Sequence, residues 1–104
     1  MVIEWLKVRV SPELREKFLQ KDAEIWTPML ASYPGFLGKE VWIDPEKPTE
    51  VILVIRWATR QAWEAVPSEK LKQVEQTFAQ ELGVQQQIIE AGEYHVQQSP
   101  QVSS

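Results

Sequence analysis

The sequence predicts a single α+β domain with its elements in the order β-α-β-β-α-β. Three observations predict it. Apolar residues alternate with a period of two at the start, in the middle and near the end of the chain; runs with apolar spacings of three and four separate these stretches; and prolines and glycines fall at the junctions. A chain of 104 residues has room for one hydrophobic core and not for two, so residues 1–96 are expected to form one domain, with 97–104 as a flexible C-terminal tail.

The opening segment carries Val2, Leu6, Val8 and Val10 on one side and Ile3, Trp5, Lys7 and Arg9 on the other, the pattern of a strand. Ser11 and Pro12 supply a cap and a first helical residue, because a serine oxygen can accept an orphan amide and proline has no amide to lose. The helix that follows carries Leu14, Phe18, Ile25, Trp26, Met29 and Leu30 at helical spacing. Pro28 is expected to kink or end it, and Pro34-Gly35 to close it with a turn. A second strand is expected from Phe36 to Asp44, then a polar, proline-rich loop, then Val51 to Trp57, apolar at odd and even positions alike and so buried on both faces. Thr59 caps a short helical piece with Ala62 and Trp63. Ser68 restarts a helix striped by Leu71, Val74, Phe78 and Leu82, which Gly83 closes. The last strand, 84–96, is expected to bend at Gly92.

This order is the split βαβ, or ferredoxin-like, arrangement, with the first and third strands central in an antiparallel sheet. Two helices cover one face of such a sheet. With Ile3, Ile52 and Val54 on one parity and Leu6, Val8, Leu53 and Ile55 on the other, the second face is apolar whichever set it carries; no remaining element covers it, and a second copy of the chain is the simplest cover. A homodimer with facing sheets is therefore expected. A net charge of -4 with scattered lysines and arginines argues against nucleic acid as a partner. No stretch approaches the roughly 18 apolar residues of a spanning helix, so no membrane partner is expected. The alternating start differs from a secretory leader, and the absence of cysteine removes any need for an oxidising compartment; a cytoplasmic location is expected.

The opening strand, the stretch Trp26 to Trp42 with Pro34-Gly35-Phe36 ahead of a strand, and Ile55-Arg56-Trp57 followed by Ala62-Trp63 resemble the antibiotic biosynthesis monooxygenase-like superfamily of dimeric α/β barrels. The likeness covers nearly all of residues 1–96. More narrowly, the chain is similar to a family of short, mainly cyanobacterial proteins of no assigned activity in that superfamily. The resemblance implies a dimeric barrel in which each subunit keeps a pocket between helices and sheet. It does not select a reaction, because the superfamily includes cofactor-independent quinone-forming monooxygenases, haem-degrading enzymes and proteins without known activity. The haem-degrading relatives carry a histidine ligand on the second long helix; residues 67–82 contain none, so haem is not expected. The only histidine, His95, has no second histidine or close carboxylate pair beside it, and neither a metal nor another cofactor is expected.

On a helical projection from Leu14, Ile25, Phe18 and Met29 fall at about 20° to 60°, and Tyr33, Trp26, Leu19 and Leu30 at about 100° to 160°. Asp22 falls at about 80°, inside the apolar arc. A carboxylate there is costly unless it is paired or wetted by a cavity, which makes Asp22 the candidate catalytic residue, a general base or anchor with Arg56 or Arg9 as counter-charge. The alternatives are that Pro28 or Asp22 itself marks an irregular helix, or that the side chain reaches solvent at a groove edge. Five tryptophans serve either a core or a pocket for a planar ligand. Trp26 and Trp63, on the helical layer, are the pocket candidates, with Tyr33, Phe18, Met29 and Arg56 beside them.

No nucleophile motif, phosphate loop or metal box is present. The first functional expectation is thus a homodimeric protein that binds an aromatic or apolar metabolite. The second is a cofactor-independent monooxygenase or isomerase acting on an aromatic substrate, and the third a purely structural dimer.

Overall fold

The computed structural model describes residues 1–98, so the expected tail lies, from residue 99 on, outside the described residues. The elements are β1 (Val2–Arg9), a 3-10 turn (Pro12–Leu14), α1 (Arg15–Lys21), a π-helical turn (Asp22–Trp26), α2 (Thr27–Ala31), β2 (Phe36–Trp42), β3 (Glu50–Trp57), α3 (Arg60–Glu64), α4 (Ser68–Leu82) and β4 (Gln87–His95). The strands form one antiparallel sheet in the order β2-β3-β1-β4. This is the ferredoxin-like arrangement, with β1 and β3 at the centre. No helix among the described residues is long and apolar enough to cross a membrane.

The register sorts the side chains into two layers. Val2, Glu4, Leu6 and Val8 of β1 sit opposite Trp57, Ile55, Leu53 and Val51 of β3, and these rows pack under the helices. One cluster joins Val8, Val51 and Leu53 to Phe18, Phe78 and Leu82; the other joins Ile55 and Trp57 to Met29, Leu30 and Val74. Phe18 and Phe78, both fully buried, meet edge to face at 5.4 Å between centroids, the geometry that the ring quadrupoles favour.

The opposite sheet face is also apolar. Val54 is buried, Ile3, Trp5 and Ile52 are partly so, and Trp42 and Tyr94 are 46% and 55% exposed. Tyr94 stands edge-on to Trp5 at 6.4 Å. Ion pairs flank the patch, from Lys7 to Glu50 and Glu90 and from Arg56 to Glu40. Among the described residues no element covers this face.

Three local expectations are corrected. Ser11 offers its backbone carbonyl, not its side chain, to the amide of Leu14 at 3.0 Å, and the chain enters through a 3-10 turn. Pro28 neither ends nor visibly breaks the helical run. The turn before it widens instead, with the Thr27 amide donating to the Asp22 carbonyl five residues back, and this wide turn absorbs the missing amide and the ring that proline introduces. The irregularity in the last strand falls at Ile89, not Gly92: pairing passes from Lys7–Glu90 to Val8–Ile88, leaving Ile89 as the extra residue. Gly92 lies instead beneath the Tyr94 ring.

Gly35, between α2 and β2, fixes the position of α3. Its φ of +89° favours glycine, and a Cβ there would collide with the Ala62 methyl of α3. Its carbonyl accepts a 2.8 Å bond from the Ala58 amide. Thr59 then caps α3 as expected, its hydroxyl oxygen accepting from the Ala62 amide at 3.0 Å.

Candidate functional site

A cavity of about 400 Å³ lies between the helical layer and the sheet. Its walls are apolar, from Leu6, Leu53 and Ile55 of the sheet and Trp26 and Leu30 of the first helical run. It opens between α3, α4 and β4, where the lining residues Glu64, Leu71, Glu75 and Ile88 are exposed.

The polar end is built by strand register. Lys39 of β2 sits opposite Ile55 of β3, and Ile55 sits opposite Glu4 of β1, so Lys39 and Glu4 occupy one row on the helix-facing side, about 10 Å apart at the backbone. Above this row stands Asp22, the first residue of the π-helical turn, and Trp26 follows four residues later on the same helical face. The Asp22 carboxylate accepts from Lys39 Nζ at 2.6 Å, and both side chains are only 3% exposed. Burial pushes the Asp22 carboxyl up, with Lys39 partly offsetting the push; burial likewise pulls the Lys39 ammonium down against the pull of Asp22. Among the described residues Glu4 accepts a single long bond, from the Trp57 indole at 3.4 Å, and burial raises its carboxyl above its ordinary value. Two buried polar atoms of the lining, Trp26 Nε1 and Gln86 Oε1, have no partner among the described residues, although buried donors and acceptors are nearly always paired.

At the mouth, the Arg60 guanidinium lies 4.0 Å from the Trp63 ring centroid and bridges Glu64 and Glu93. His95 stands 2.7 Å from Glu93 at an exposed position, outside the cavity lining. No group of three potential metal-ligating side chains occurs among the described residues.

The structure brings Asp22, Trp26 and Trp63 to this one cavity and leaves the other sequence candidates elsewhere. Phe18 is fully buried against Phe78, Met29 packs in the cluster of Trp57, and Tyr33 packs at the edge of that cluster. Arg56 is on the opposite sheet face, bound to Glu40, and Arg9 is exposed at the far end of β1, so the counter-charge of Asp22 is Lys39 and neither arginine. Sequence reasoning missed Lys39, Glu4, Trp57 and Gln86. One signal was present: Glu4 interrupts the otherwise apolar set Val2, Leu6 and Val8 in the same parity of β1. Lys39 carried none, because an edge strand tolerates lysine on either face.

The family model for antibiotic biosynthesis monooxygenases matches residues 1–66, a segment that contains Glu4, Asp22, Trp26, Lys39 and Trp63. Among solved structures, the chain resembles a monooxygenase of Streptomyces coelicolor in complex with nanaomycin D, at 14% identity and a TM-score of 0.75 over 98% of this chain and 92% of that one. It also resembles SnoaB, a cofactor-independent oxygenase of Streptomyces nogalater, at 18% identity and a TM-score of 0.64 over 94% of each chain. A conserved protein of Methanosarcina mazei gives 17% identity and a TM-score of 0.65 over 89% of each. At such identities the likeness carries the fold alone. No curated protein matches the chain. With more than half of its length matched by the family model, the chain belongs to the antibiotic biosynthesis monooxygenase family.

Proposed function

We propose that residues 1–96 form one domain that pairs with a second copy and binds a planar aromatic or apolar small molecule in the cavity between helices and sheet. The observation that carries this reading is the cavity itself: about 400 Å³, lined by Trp26, Trp57 and Trp63, with a few buried polar groups set into an apolar wall. That volume and that mixture of apolar wall and few polar groups are typical of small-molecule sites. The Streptomyces coelicolor relative was solved with nanaomycin D, a second support. Pairing through the uncovered sheet face gives the dimeric α/β barrel that the sequence resemblance implies, and it removes Trp5, Ile52 and Trp42 from water. On that same resemblance we group the chain with the short, mainly cyanobacterial members of the superfamily. Sedimentation should report twice the 12.1 kDa chain mass, and native mass spectrometry after incubation with a panel of aromatic metabolites should report a retained ligand. A stable 12.1 kDa species at micromolar concentration overturns the dimer, and no retained ligand overturns the site.

One arrangement favours a second reading, a cofactor-independent oxygenase or isomerase. A buried carboxyl made more basic than usual is paired with an ammonium, and an unpartnered indole N–H belongs to the same cavity lining. In this reading Asp22 takes the proton of a phenolic substrate, and Lys39 with Trp26 Nε1 stabilises the resulting oxyanion. The electron-rich anion then reacts directly with dioxygen, a phenol and dioxygen giving a quinone and water. Asp22→Asn should abolish oxygen uptake with a phenolic panel and still permit ligand retention; uptake by the variant at the wild-type rate refutes the assignment.

A further inference from the structure

We propose that the cavity selects ligands that carry a positively charged nitrogen, a protonated or quaternary amine attached to a planar ring, and that Glu4 is the residue that receives it. The proposal rests on the reading of the cavity as a small-molecule site and adds the charge of the molecule.

The ionised groups of the lining do not balance. Asp22 and Lys39 are 2.6 Å apart and neutralise each other's charge. Arg60 at the mouth is engaged by Glu64 and by Glu93. Glu4 is left without a cation within 4.0 Å among the described residues, and Glu75 at the mouth has none either. A carboxylate offers about four lone-pair sites, and Glu4 uses one, for the 3.4 Å indole bond from Trp57. A carboxylate largely removed from water and left unpaired is costly, and a cation delivered by a ligand removes that cost. Desolvation raises the Glu4 carboxyl, and the Trp57 indole with the more distant Lys39 and Arg60 offsets that only in part.

The walls favour the same charge. Trp26 and Trp63 line the space, and indole faces attract cations more strongly than the other aromatic side chains do. The protein already uses one of these rings so: Arg60 rests on Trp63 at 4.0 Å. An anionic ligand would bring its charge against Glu4 with no free cation to receive it. The remaining donor, Trp26 Nε1, suits an acceptor oxygen elsewhere on the same ligand.

Isothermal titration calorimetry with three probes of one ring system tests this: naphthylmethylammonium, naphthylmethanol and naphthoate, at neutral pH and low salt. The ammonium compound should bind at least about tenfold more tightly than the alcohol, with naphthoate weakest. Glu4→Gln should bring the ammonium-to-alcohol ratio close to one, and Trp63→Leu should lower it. Equal binding of the three probes, tighter binding of naphthoate, or an unchanged ratio in Glu4→Gln overturns the proposal while leaving the cavity as a small-molecule site. The wild-type comparison decides even where a variant fails to fold. Absence of binding by all three probes overturns both the proposal and the reading of the cavity beneath it.

Discussion

Replacing Lys39 by methionine keeps most of the side-chain volume and deletes the one cation that touches Asp22 among the described residues; Asp22 is 2% exposed. The stranded carboxylate has one escape, to take up a proton. At pH 7, protonating a carboxyl with an ordinary pKa of 3.8 costs about 4 kcal/mol at 1.36 kcal/mol per pH unit, which sets a ceiling on the electrostatic loss. Breaking a buried pair from one side typically costs about 3–5 kcal/mol, so a loss of about 3–4 kcal/mol is expected. With a urea dependence of about 1.5 kcal/mol per molar for a chain of this size, the unfolding midpoint should fall by about 2 M, followed by tryptophan fluorescence at fixed protein concentration. The sign with pH is also set. With Lys39 gone, the folded-state value of Asp22 stays above its unfolded 3.8, so its contribution is complete below 3.8 and is lost as pH rises through the raised value. The deficit of the variant should therefore shrink as the pH is lowered from 7 towards 4. Adding Asp22→Leu to Lys39→Met should recover stability to within about 1 kcal/mol of wild type, because an apolar pair of similar size needs no partner. A midpoint shift below about 0.5 M that does not change with pH would refute the reasoning, since it would mean that Asp22 reaches water once its partner is removed.

Gly35→Ala should destabilise by about 2 kcal/mol or more, from the positive φ and from the collision with Ala62. Adding Ala62→Gly should return the steric part and leave the backbone part, read by thermal unfolding. Phe78→Ala, at a fully buried ring that contacts Phe18 and Trp26, should cost about 3–5 kcal/mol in denaturant unfolding. Glu4→Gln should stabilise the protein at pH 7, with the gain vanishing as the pH is lowered to about 4. Glu4's folded value lies above its ordinary 4.5, so the wild type loses stability as pH rises through that value and glutamine does not; a gain that is constant with pH refutes this.

The fold was legible because each element carried its own signal. The two-sided run Val51 to Trp57 set β3 in the middle of the sheet, and the stripe Leu71, Val74, Phe78 and Leu82 set α4 against it, where Val74, Phe78 and Leu82 are indeed buried. Asp22 was legible for the same reason: a charge at an apolar phase of a helix is a local contradiction. Its partner was not, because the distance from residue 22 to residue 39 is bridged by sheet register and by the height of the helix above the sheet, neither of which a helical projection contains. The π-helical turn was hidden by a similar gap. Pro28 announces a disturbance, but whether a helix answers by breaking or by widening one turn depends on what holds its far end, and here Met29 and Leu30 are held in the core.

The two faces of the sheet bear on one another. β3 packs under the helices through Val51, Leu53, Ile55 and Trp57 and presents Ile52 and Val54 on the other side, so its backbone is held from both directions once that second side is covered. Ile55 is the residue that separates Lys39 from Glu4 in their row. The distance between the neutralised pair and the unpaired carboxylate is therefore fixed by a central strand of the sheet, and not by a loop. Such a placement serves stability poorly, since a buried pair and a lone carboxylate are each replaceable by apolar side chains at little cost or at a gain. It serves recognition well if the spacing itself is what a ligand must match, with charge at one end, a ring between the indoles and an acceptor oxygen for Trp26. The pairing proposed through the far face would then act on the site without touching it, by covering the other side of the strand against which that spacing is measured.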